Sequence, residues 1–86
     1  MKGTDKQINY ASNLIEKAQK LVARFDGGKK EKLIIGEKAA LGAISGNTDA
    51  GKVIEVLNPE SDIRWSAYRV NKGWNTVEEM INYLNS

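Results

Sequence analysis

At 86 residues, 41% hydrophobic and 28% charged, the chain is long enough for one core and too short for two. It has no cysteine and no histidine, which excludes disulfides, thiolate and imidazole metal sites and the commonest general base, so neither metal nor cofactor is expected. Thirteen Lys and Arg against eleven Asp and Glu leave a net charge of +2, which alone implies no particular partner, and no apolar run is long enough to cross a membrane.

Ile8, Ala11, Ile15, Ala18, Val22 and Phe25 recur at steps of three and four, which predicts an amphipathic helix over 4–25 with Tyr10, Leu14 and Leu21 widening its apolar edge. Thr4 and Gln7 have the spacing of a capping box, and Gly27-Gly28 supplies a left-handed stop. At ~1.5 Å per residue this helix is roughly 30 Å long. It is the expected spine of the fold, in contact with helices predicted over 48–57 and 77–84.

Lys29–Ser45 reads as a second helix in which Gly36 and Gly42 permit close approach to the first; the rival reading makes Lys32–Ile35 a short strand. Asn47 or Thr48 caps a short helix carrying Val53, Ile54 and Leu57, and Asn58-Pro59 ends it. Ser61–Trp74 fits two templates equally. Ile63, Trp65 and Ala67 alternate like a strand, whereas Ile63, Ala67 and Val70 share a helical face, with Ser61-Asp62 as cap and Lys72-Gly73 as stop. Thr76 and Glu79 form a second capping box before a face made of Val77, Met80, Ile81 and Leu84. The expected class is mainly α, one small helical bundle over 1–86, with an α+β variant in which 32–35 pairs with 63–70. A polar, capped start at Met1 without a signal-peptide apolar region makes a cytoplasmic protein the expectation.

Few residues carry a signal for chemistry. Gly46 to Lys52 matches most of a phosphate-binding loop, but Val53 stands where Ser or Thr would hold magnesium, and a helix start explains the same residues. Glu78-Glu79 complement a helix dipole, and Ser12, Ser45, Ser61 and Ser66 have no histidine to activate them. No catalytic residue is expected. From Lys17 to Lys38, however, seven bases stand against three acids. Arg64, Trp65, Tyr68, Arg69, Lys72 and Trp74 then interleave cations with rings, as phosphate contact plus base stacking requires. The opposing reading places these tryptophans in the core, with arginine stems covering its rim.

Thr4-Asp5-Lys6-Gln7-Ile8-Asn9-Tyr10-Ala11 resembles the opening of a small helical module of phage and plasmid proteins, which begins Thr, acid, Lys-Gln, then Tyr or Phe one turn later. Asp49-Ala50-Gly51-Lys52-Val53-Ile54-Glu55-Val56-Leu57 resembles the module's closing helix, so the match spans residues 4–57. Such modules are often appended to recombination or other nucleic-acid-handling proteins. The resemblance therefore implies a mobile-element setting and a nucleic-acid role, and it supplies no catalytic residue. Together these readings give an expected non-enzymatic nucleic-acid-binding accessory protein. Its surface would join Lys29, Lys30 and Lys32 to Arg64, Arg69 and Lys72, with Trp65, Tyr68 or Trp74 stacking. The alternative is a protein-interaction module that engages a host factor or self-associates. DNA against RNA, strandedness and oligomeric state stay open at this point.

Overall fold

The computed structural model describes residues 1–86, and every regular element in it is helical. The order is α1 (Asp5–Phe25), a 3-10 turn (Glu31–Ile34), α2 (Ile35–Ala43), α3 (Ala50–Leu57), α4 (Ala67–Asn71) and α5 (Val77–Asn85). The two-stranded piece is not present: 32–34 winds into the 3-10 turn, Ile35 opens α2, and 67–71 is α4. A lone 63–70 strand had only that segment to pair with, and once it is helical no edge is left to complete the ladder.

α1 begins as its sequence dictates. The Thr4 hydroxyl accepts from the Gln7 amide at 3.2 Å, while the Gln7 side chain accepts from the Thr4 amide at 3.1 Å. Gly27, at φ 76°, turns the chain out of the helix in a conformation that costs an L side chain about 1–2 kcal/mol. The buried line of α1 is Ala11, Leu14 and Ala18, in which the two alanines let α3 lie close and Leu14 fills the space between.

α3 supplies Ala50, Val53, Val56 and Leu57 to the same cluster, and α5 closes it with Met80 and Leu84. α1 packs closely on α2, α3 and the 3-10 turn, whereas its backbone does not approach that of α5 as the expected arrangement would have it, and the two helices share only the side-chain cluster of the core. α5 lies instead against α2, α3 and α4, so the second and third helices stand between the spine and the last helix.

Three local expectations also shift. α3 is capped by Asp49, whose carboxylate accepts from the Gly51 amide at 2.7 Å, because Thr48 is turned inward to accept from the Ser45 amide at 2.9 Å. α4 is capped by Ser66 rather than by Ser61-Asp62. Thr76 caps α5, but Glu79 does not complete a box; its carboxylate goes to Arg64 at 3.2 Å.

Candidate nucleic-acid interface

α4 is a single helical turn and a half held by polar bonds at each end. The Ser66 hydroxyl accepts from the Arg69 amide at 3.3 Å. At the other end the Gly73 amide donates to the Val70 carbonyl and the Trp74 amide to the Arg69 carbonyl, both at 2.9 Å, with Gly73 at φ 79°. This pair of bonds is a Schellman motif, which Gly at its left-handed position makes inexpensive. It fixes the backbone of Trp74, whose side chain nevertheless projects into solvent at 65% exposure. The Arg69 guanidinium lies 5.5 Å from the Trp74 ring centroid, and the Lys72 ammonium 5.5 Å from that of Tyr68, which is itself 44% exposed.

Asn71 joins this element to the 3-10 turn. Its Oδ1 accepts from the Gly36 amide at 2.6 Å, and its Nδ2 donates to the Leu33 carbonyl at 2.8 Å and to the Glu37 carboxylate. Gly36 is what allows the approach: a Cβ there would stand 2.5 Å from the Ala67 carbonyl oxygen. The close contact made by this glycine is thus with α4, not with α1, and Gly42 faces open space. The two segments bearing the candidate cations, far apart in sequence, consequently meet at one end of the bundle.

The candidate residues divide there. Lys29, Lys30 and Lys32 are exposed around the 3-10 turn and have no carboxylate partner; Lys72 has none either. Lys38 strengthens this local excess. Its ammonium sits 2.6 Å from Asp26 and 3.4 Å from Glu31, engaging the acids on either side of Lys29 and Lys30. The Asp26 hydrogen bond, followed by that carboxylate's charge, holds the Lys38 pKa above its ordinary value.

Arg69, by contrast, is directed to the Asp62 backbone carbonyl and lies 3.8 Å from its carboxylate. Arg64 donates to Asn75 and to Glu79, each at 3.2 Å. Trp65 is stacked on Tyr83, centroids 4.7 Å apart and planes 17° from parallel, with the Arg64 guanidinium 4.8 Å from its own centroid. Its indole nitrogen is enclosed without a hydrogen-bond partner. Arg64 and Trp65 are thus held against α5, which does not pack on the 3-10 turn. Burial, then the Glu55 carboxylate that its hydroxyl meets, pushes the Tyr83 pKa up to about 12.

Outside this end the molecule offers little for chemistry. No group of three or more metal-ligating side chains gathers in the fold. The most enclosed cavity, with Leu14, Ala18, Leu21 and Leu57 in its lining, measures about 90 Å³, well below the ~300 Å³ at which small-molecule sites begin, and the larger depression of about 520 Å³ beside Ala39, Gly42 and Ile81 is wide open to solvent. The phosphate-loop resemblance of Gly46–Lys52 also dissolves at the start of α3. The Gly51 amide is taken by Asp49, the Ala50 amide by the Lys2 carbonyl at 2.7 Å, and Lys52 reaches Ser86 at 2.6 Å. No family model, curated protein or solved structure matches the chain.

Sequence reasoning missed Asn71, Leu33 and Ile35. Asn71 directly precedes the Lys72-Gly73 stop signal and drew no reading of its own. Leu33 and Ile35, to which the sequence reading gave no surface role, are 56% and 48% exposed, on either side of the buried Ile34. Three consecutive apolar residues cannot all point to one side of a helical turn, which was the available sign that some of them would face outward.

Proposed function

We propose that the protein is a non-enzymatic accessory protein that binds nucleic acid through the end of the bundle formed by the 3-10 turn and α4. The mobile-element setting is carried by the resemblance of Thr4–Ala11 and Asp49–Leu57 alone. The observation that supports the binding reading is the Asn71 junction. Through it the segment carrying Lys29, Lys30 and Lys32 packs on the one carrying Lys72 and the exposed Tyr68 and Trp74, and none of the four lysines has a carboxylate partner. Arg64, Trp65 and Arg69 leave the proposed contact set, since each already has protein partners.

Four phosphate contacts give a log–log salt slope of about −3 on a single strand. Replacing Lys29, Lys30, Lys32 and Lys72 together by glutamine is expected to abolish salt-sensitive binding of labelled oligonucleotides. Binding unchanged in that variant, or unchanged between low and physiological salt, contradicts the proposal. A protein-interaction module is the second reading, favoured by the exposure of Leu33 and Ile35 beside the same lysines. A partner retained through nuclease and high salt, and lost on Leu33→Asp, supports it.

A further inference from the structure

We infer that the ligand of this surface is single-stranded and is bound without regard to sequence, its bases stacking on Trp74 and Tyr68. The inference rests on the nucleic-acid reading above and narrows it.

The first ground is the way Trp74 is held. The ring is 65% exposed, yet the Trp74 amide itself closes the outer bond of the Schellman motif on the Arg69 carbonyl, and the preceding Gly73 takes the left-handed position at φ 79°. The ring is displayed on a fixed backbone, which lowers the ordering cost of anything that docks on it.

The second ground is the pairing of each ring with a cation. Arg69 lies against Trp74 and Lys72 against Tyr68, both at 5.5 Å. Tyr68 with the unpaired Lys72 matches the two parts of a nucleotide, a base with an open π-face and a phosphate, while Arg69, held by Asp62, backs the Trp74 ring and is not counted as a phosphate contact. In a duplex the base faces are covered by their neighbours, so these rings would find only sugar and backbone. A single strand leaves the faces open.

The third ground is what the surface lacks. Reading base edges takes amide or guanidinium groups free to form paired hydrogen bonds. Asn71 is fully engaged with Gly36, Leu33 and Glu37, Asn75 accepts from Arg64, and both arginines have protein partners. The helix displayed, α4, has only five residues, too few to lie along a major groove. Lysines and rings remain, and lysines on phosphates and rings stacked on base faces carry no sequence information.

Trp65 and Trp74 are the two tryptophans, Trp74 exposed and Trp65 half-buried against Tyr83, so the difference between the parent and Trp74→Leu isolates the fluorescence of the site. The experiment titrates the full chain, and its Trp74→Leu and Tyr68→Leu variants, with a thymidine oligomer and with a mixed-sequence duplex of equal length at physiological salt. Far-UV circular dichroism confirms that the variants remain helical. The expected result is quenching by the single strand, with affinity at least about tenfold above that for the duplex. Trp74→Leu should abolish the quenching and weaken single-strand binding about tenfold, with Tyr68→Leu weaker in effect and duplex affinity unmoved. Duplex binding as tight as single-strand binding overturns the inference and leaves the broader reading standing, as does a Trp74→Leu variant that binds the single strand as well as the parent does. Binding to neither form overturns both.

Discussion

α3 and α4 are both short helices capped by their own side chains, yet they are held in place by different forces. α3 buries four side chains of its eight residues, Ala50, Val53, Val56 and Leu57, against Ala11, Leu14 and Ala18 of α1. α4 buries only Ala67 and Val70, and is fixed by Ser66, Asn71 and the close approach at Gly36. A helix of five residues cannot persist without tertiary support. Apolar area supplies that support for α3, whereas directional hydrogen bonds supply much of it for α4. The difference has a consequence for function: α4 can keep Tyr68 outward, with Trp74 just beyond it, because its anchorage does not depend on burying them.

The largest test of this contrast falls in the shared core. Met80 is fully buried, so Met80→Ala should cost ~2–5 kcal/mol in chemical denaturation. That is a large part of what so small a domain holds. Gly36→Ala strikes the polar anchorage of α4 instead. Its new Cβ would meet a backbone oxygen at 2.5 Å, and the expected loss is ~1–3 kcal/mol, accompanied by changed amide shifts at Asn71 and Leu33. A Gly36→Ala variant as stable as the parent, with α4 unmoved, would break the distinction.

Much of the core end was legible in the sequence. The Thr4–Gln7 box, the Gly27 stop, the Asn58-Pro59 break and the Met80–Leu84 face depend on neighbours within a few residues, and local physics decides them. The α4 end was not. Its helix is too short for a 3.6-residue period to declare itself. The strand-like alternation of Ile63, Trp65 and Ala67 runs across an irregular stretch, the Ser66 cap that ends it and the first residue of α4. Residue chemistry identified the candidate cluster, but not which members were free. Arg64 meets Glu79 15 positions on, and Asn71 meets Leu33 38 positions back. Partners at such separations leave no periodic trace.

A smaller effect is expected at high pH. The Tyr83 pKa is raised to about 12 and that of Lys38 is raised also, so the stabilisation each contributes is complete below the ordinary values of 10.0 and 10.5 and is lost as pH climbs past them. Stability followed by circular dichroism should therefore fall above about pH 10. Tyr83→Phe should make that fall shallower and remove the part of the tyrosinate absorbance that develops near pH 12. The smallest effect belongs to the display face: Trp74→Leu and Lys32→Gln should each shift stability by less than about 0.5 kcal/mol, since neither side chain is buried. A Trp74→Leu loss approaching that of Met80→Ala would mean that the ring supports the fold rather than standing clear of it.

The central claim, that nucleic acid binds at the junction of the 3-10 turn and α4, is tested most directly by mapping backbone amide chemical shifts during titration with a thymidine oligomer. The account predicts perturbations concentrated in Lys29–Leu33 and Tyr68–Trp74, with the Trp74 indole signal moving furthest and the Trp65 signal nearly still. Shifts centred instead on the exposed face of α1, or on the α2–α5 side around Ala39, Gly42 and Ile81, would contradict it.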